Sequence, residues 1–270
     1  MKKFKHLLLA LVLGLSFVTG QRVLAAQTTV TVATDSDTAP FTYKEKNSFK
    51  GYDIDVLKAV FKGSKDYKLS FQTVGFSSIL TGVDAGRYQI AANDYNYNDE
   101  RAKKYLFSDP VSKSHYAIVS KKGTSYASLD DLAGKTTEAM AGSNYAQVLE
   151  NYNKDHSDKP ITINYVSSQT GLTSRLQNIE SGKIDFILYD QISSAYVVKD
   201  QKLQLTVTKL KDQLDDDDKA GKEYFLFANS KEGKALQKFV NKRLKALKAD
   251  GTLKKISQKY FGGDYVTELN

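Results

Sequence analysis

One pattern constrains this chain more than any other. Stretches that read as strands alternate with stretches that read as helices, and the alternation runs through twice. Residues 30–33 are rich in β-branched side chains and end at a polar turn, the mark of a strand. Ile54, Leu57, Val60 and Phe61 then recur at helical spacing, with Gly63 as a stop. Residues 69–74 form a second strand, 76–83 a helix with Ile79, Leu80 and Val83 on one side, and 88–92 a third strand. The order β-α-β-α-β argues for a parallel sheet covered by helices. It restarts at residues 116–120, with further strands expected at 135–140, 161–166, 184–189, 203–207 and 224–228. Helices are expected at 144–152 and 172–179; two more, 231–249 and 252–260, close the chain, with Gly251 left-handed between them. Two such sets imply an α/β protein of two lobes, with a binding crevice between them. Ligands of open parallel sheets gather at the carboxyl ends of strands. That rule brings forward Asp35, Phe76, residues 93–96, Gly142, Ser143 and Asp190.

The composition narrows the function. With 270 residues, 41% hydrophobic and 26% charged, the chain can bury a substantial core, which excludes a disordered chain, collagen and a multi-span membrane protein. The absence of cysteine removes disulfides, thiolate metal sites, a cysteine nucleophile and iron–sulfur clusters. His6, His115 and His156 are too far apart to form a paired-histidine metal motif. Residues 1–26 have a lysine-rich start, an apolar run at 7–18 and small residues at the end, the layout of a secretory signal peptide. The run is short for a membrane span, which needs ~20 apolar residues. Those residues carry four positive charges (Lys2, Lys3, Lys5 and Arg22) and no acid, so removing them lowers the net charge from +8 to +4. The remaining lysines are scattered rather than striped, which argues against nucleic-acid binding. The acidic run 215–218 is expected in a solvated loop.

Four segments, in order, resemble those of the extracellular solute-binding proteins of amino-acid ABC transporters, the group with glutamine-, histidine- and cystine-binding members. They are Gly51-Tyr52-Asp53-Ile54-Asp55-Val56; Asp99-Glu100-Arg101 with Lys103-Lys104 and Phe107-Ser108-Asp109-Pro110; Ser128-Leu129-Asp130-Asp131-Leu132 with Gly134-Lys135; and Ala249-Asp250-Gly251-Thr252-Leu253 with Tyr260-Phe261-Gly262. The resemblance implies a two-lobed, type II periplasmic-binding-protein fold with two crossover hinge strands. It places lobe one at residues 27–113 and 209–270 and lobe two at 114–208. It also implies a secreted, periplasmic or cell-surface monomer without cofactor. Such a protein closes on a free amino acid, cystine or another polar one, and delivers it to permease subunits.

A free amino acid carries a carboxylate and an ammonium on one carbon, so its site needs a fixed cation and a fixed anion. Arg101 is the candidate cation, because a guanidinium can bond a carboxylate with two parallel donors. By the resemblance, backbone N–H groups of Asn96 and Ser143, in the Gly142-Ser143 turn, complete the carboxylate site. Asp190 takes the ammonium, with Asp35 a weaker contact. An aspartate after a buried strand could equally cap the next helix. Phe76 matches an aromatic that stacks on the ligand. The chain departs from the family at Thr38, where many relatives have a second aromatic, unless Phe41, Tyr95 or Tyr97 fills that place. Asn93-Asp94 is nearer the Asn-Gln of cystine-type binders than the Ala-Gly of glutamine and basic-amino-acid binders, and Asp94 could receive an ammonium. Two other readings use the same module: a sensory or adhesive surface protein, and a periplasmic dehydratase-like enzyme. The second lacks a histidine in the cleft motifs.

Overall fold

The structure, a computed structural model, describes residues 27–167, 169–212, 214, 219, 221–267 and 269. The leader-like segment 1–26 and the acidic run 215–218 lie outside the described residues.

The first alternation folds as read. β1 (Thr28–Thr34), α1 (Tyr52–Phe61), β5 (Tyr67–Thr73), α2 (Phe76–Asp84) and β6 (Ile90–Asn96) follow in order. β5, β1 and β6 pair in parallel, with β1 in the middle. Between β1 and α1 runs a small antiparallel sheet that the sequence pattern did not reveal: β2 (Asp37–Thr38), β3 (Thr42–Glu45) and β4 (Ser48–Lys50). Its strands are too short for alternation to register. β6 begins two residues later than expected and runs on through Asn93-Asp94-Tyr95-Asn96, fully buried throughout. Its polar end is buried among Thr34, Asp35 and Thr38 around Asn93, and Asp53 and Tyr145 around Asp94, which hydropathy cannot foresee.

The second alternation repeats the plan. β9 (Tyr116–Lys121), β10 (Thr136–Met140), α4 (Asn144–Asp155), β11 (Thr162–Val166), α5 (Leu172–Glu180), β12 (Phe186–Asp190), α6 (Gln191–Asp200) and β13 (Leu205–Lys209) form a sheet in the order β11-β10-β12-β9-β13. The chain then returns to the first sheet as β14 (Lys222–Ala228) and ends in α7 (Lys231–Ala249) and α8 (Thr252–Phe261). Gly251 is left-handed at φ 77°, as the sequence requires.

The expectation of purely parallel sheets needs correction. β14 runs antiparallel to β6, and β9 runs antiparallel to β12 and β13. Each is the strand by which the chain enters a sheet after crossing from the other one, so it arrives from the opposite end. Short strands β7 (Tyr105–Phe107) and β8 (Ser112–Lys113) complete the first sheet against β14.

Each sheet has its own apolar core. Val32, Leu57, Phe225, Phe227, Val240 and Leu244 anchor the first; Ile118, Leu132, Leu176, Phe186, Ile187 and Leu188 anchor the second. A buried aliphatic side chain contributes roughly 1.5–3 kcal/mol, so each core adds substantially to the stability of its sheet. Gly51 shows how tightly the first half is fitted. It sits at φ 121°, and a Cβ there would lie 2.1 Å from the Phe41 carbonyl oxygen. Phe41 is fully buried against Tyr52 and Phe261, so it is core rather than cleft.

Candidate functional site

The carboxyl ends of the inner parallel strands of both sheets meet at one small cavity of about 20 Å³, the room of roughly one water molecule. From the first sheet it is lined by Phe76, Asn93, Asp94, Tyr95, Asn96 and Arg101. From the second come Met140, Ser143, Asn144, Tyr145, Arg175 and Tyr189. Six expected site residues therefore meet: Phe76, Asn93, Asp94, Asn96, Arg101 and Ser143. Gly142, Asp35 and Asp190 do not line the cavity but touch or influence its walls, as described below.

Arg101 lies on α3 (Asp99–Ala102), a single turn capped by Asn98, whose side chain accepts the Arg101 backbone N–H at 2.8 Å. Arg101 is 7% exposed. Its guanidinium reaches across to the turn and helix that follow β10, donating to Asn144 Oδ1 at 2.7 Å and the Gly142 carbonyl at 3.0 Å, and back to the Asn96 carbonyl at 3.0 Å. Gly142 is left-handed at φ 74°, a conformation open to glycine, and this turns its carbonyl toward Arg101. Asn144 also accepts from Asn98 Nδ2 and donates to the Tyr97 carbonyl, so one asparagine ties three points of the first half to the second. The Ser143 backbone N–H, expected as a free donor, donates to the Met140 carbonyl at 3.2 Å, and the Ser143 hydroxyl caps α4 through Ala146. The Gly142 turn closes through that first bond.

Acidic groups occupy the opposite part of the site. Asp94 is left-handed at φ 50° in the middle of β6. Aspartate tolerates that conformation at some cost, and the kink coincides with a register shift in the facing β14. The Asp94 backbone N–H is held by Asp53 Oδ2 at 3.3 Å, which gives the buried acid of the Gly51-Tyr52-Asp53 segment a role. Burial pushes the Asp94 carboxyl well above its ordinary range, and the neighbouring Asp190 adds to the push. Asp190 caps α6, accepting from the Ser193 N–H at 2.7 Å. Burial raises it to about 6 despite hydrogen bonds that favour its charged form. Capping and proximity to Asp94 therefore coexist at Asp190.

Asn93 organises the first strand's end. Its Oδ1 accepts from the Thr34 hydroxyl and the Asp35 N–H, while its Nδ2 donates to Asp35 Oδ2 and to the Thr38 hydroxyl. Thr38 in turn donates to Asp35 at 2.9 Å. The Thr38 hydroxyl thus completes the bonding of Asp35. Burial still raises Asp35. The aromatic beside Phe76 is Tyr95, stacked at 5.6 Å, and Arg101 lies 5.0 Å from the Tyr95 ring centre. Tyr97 instead packs on Phe107.

Sequence reading missed Met140, Asn144, Tyr145, Tyr189 and Arg175. One mark was available. Leu172, Leu176 and Ile179 define the apolar face of α5, and Arg175 falls on that face.

A family model described as bacterial extracellular solute-binding proteins, family 3, matches residues 30–263. The chain belongs to that family. This solute-binding protein is 32% identical to the L-cystine-binding protein TcyJ of Bacillus subtilis over 241 residues, covering 88% of the chain and 85% of that protein. It is 29% identical to the arginine-binding extracellular protein ArtP of B. subtilis, covering 86% of each. A solved structure from work on glutathione import in Gram-positive bacteria via GshT and the cystine ABC importer TcyBC of Streptococcus mutans superposes with a TM-score of 0.84 at 38% identity, covering 90% of this chain and 99% of that one. The fold is the two-lobed α/β fold of type II periplasmic-binding proteins, as the sequence resemblance implied.

Proposed function

We propose that this solute-binding protein captures a free amino acid, cystine or another polar one, between a lobe of residues 27–113 with 209–270 and a lobe of residues 114–208. It then delivers the ligand to permease subunits of an ABC importer. Residues 1–26 serve as the export leader. The observation that carries the reading is a separation of charge. Buried guanidinium and buried carboxylates share one cleft, yet Arg101 bonds only neutral acceptors. Buried charges are ordinarily paired. A zwitterion would match both sets, its carboxylate at Arg101 and its ammonium among Asp94, Asp190 and Asp35. The names of relatives such as L-cystine-binding TcyJ support the ligand class.

The cavity is far smaller than an amino acid, so entry requires the lobes to part. In closing, the ligand carboxylate replaces the Gly142 carbonyl and Asn144 side chain as acceptors for Arg101. A charged acceptor makes roughly twice as strong a bond as a neutral one, and that difference favours the closed, loaded form. Phe76 and Tyr95 supply apolar contact, and Asn144 rejoins the lobes. The solute is captured without turnover; among the described residues no histidine lines the cavity.

A thermal-shift screen against the amino acids and cystine tests the reading. Ligand at a hundred times its Kd adds about 2.7 kcal/mol of stability. A protein that no amino acid stabilises would refute it, and conversion of a ligand seen by mass spectrometry would replace capture with catalysis.

A further inference from the structure

Arg175 is buried more deeply than Arg101, at 2% exposure, on the apolar face of α5. It lines the same cavity as Arg101, from the opposite lobe. Its Nε is buried and has no hydrogen-bond partner. Among the described residues its guanidinium makes no hydrogen bond and no ion pair within 4.0 Å. The guanidinium lies over the face of Tyr189, 5.2 Å from the ring centre. Arg175 acts at longer range on Asp35 and Asp37, favouring the charged form of both, but neither acid forms an ion pair with it within 4.0 Å. A guanidinium with five donors is costly to bury without acceptors, and Arg101 already offers one carboxylate clamp in the cleft.

We propose that Arg175 is a specificity-determining residue that takes a second carboxylate, so that the cleft prefers solutes carrying two carboxylates, cystine or a γ-glutamyl peptide such as glutathione, over amino acids with one. The inference rests on the reading of the cleft as an amino-acid site and names the subclass. Arg101, on the first lobe, holds one end of the solute; Arg175, on the second, holds the other. Closure then brings two cations onto two anions, and a solute with one carboxylate leaves Arg175 unpaired. Tyr189 holds the guanidinium plane in place, and Asp35 and Asp94 lie where ammonium groups can be received.

The test pairs protein with ligand changes. Calorimetry compares glutathione with its glycyl monoethyl ester, and L-cystine with S-methyl-L-cysteine, on the intact protein and on Arg175→Gln. The expected result is a preference of the unaltered protein for the two-carboxylate member of a pair by on the order of a hundredfold. Arg175→Gln should erase that preference while leaving the one-carboxylate member within about threefold, and Arg175→Lys should restore part of it. The comparison of ligands on the unaltered protein needs no variant, so a folding defect in Arg175→Gln leaves the question answerable. Equal binding of both members of each pair overturns the role of Arg175 while the amino-acid reading stands. Equal weakening of both members by Arg175→Gln also overturns it and makes the residue structural. An intact protein that binds none of the four, nor any other amino acid, overturns the amino-acid reading itself.

Discussion

The two sheets share a strand order and use it differently. In each, three parallel strands are followed by the antiparallel strand through which the chain enters, giving β5-β1-β6-β14 and β11-β10-β12-β9. The central strands β1 and β10 and their neighbours β6 and β12 aim their carboxyl ends at one cleft. The first sheet equips that end by bending a strand: Asp94 is left-handed inside β6, and a one-turn helix beyond it carries Arg101. The second equips it with helix starts, Ser143 capping α4 and Asp190 capping α6, and with one arginine on a helix face. A shared topology sets where a ligand goes; the local departures from that topology set its chemistry.

The contrast can be broken most sharply at Arg101, which bonds the second lobe from the first. Arg101→Ala should cost amino-acid affinity on the order of 2–5 kcal/mol. Near-unchanged binding by calorimetry would remove the first lobe's cation from the site. The glycines compare the packing of the two halves. Gly51→Ala meets a backbone oxygen at 2.1 Å and an unfavourable φ, whereas Gly142→Ala meets only its φ of 74°, with nothing within 4 Å. Denaturant melts should show a loss of about 3 kcal/mol or more for the first and roughly 1–2 kcal/mol for the second. Equal losses would show that crowding at Gly51 has no effect.

The acids give a pH test that joins the lobes. Asp190 rises from 3.8 to about 6 on burial, so the ligand-free folded form binds protons more readily than the unfolded chain. The group's contribution to stability therefore falls as pH rises from about 4 to 6. An ammonium held by Asp94 and Asp190 favours their charged forms, so binding should release protons and weaken as pH drops through about 6. Calorimetry in buffers of different ionisation enthalpy reads the proton count, and a pH-independent affinity would exclude both acids as ammonium contacts. The smallest effect is expected at Gly171, the N-cap of α5. A Cβ there would lie 2.0 Å from Asp37 Oδ2. Because a carboxylate tip can shift, Gly171→Ala should weaken closure by about 1 kcal/mol, read as a severalfold rise in Kd.

Periodicity and turn chemistry along the chain were enough to place most helices and strands, because each buries a face that recurs at its own spacing. Arg101 was legible as a cleft residue from the family segment that carries it, and Asn93 and Asp94 from their place at the carboxyl end of a strand. Thr38 and Asn144 were not, since a hydroxyl or an amide has no pattern until its partners are known. The strands β9 and β14 were legible but their direction was not, because strand direction depends on where the chain enters a sheet. Local sequence therefore determined which segments are strands and helices and which strand ends carry charge. Only the tertiary structure decided that Arg101 and Arg175 face one cavity, that Asp94 lies beside Asp190, and that Asn144 joins the lobes. Those contacts link residues dozens of positions apart, and no periodicity within either segment records the other.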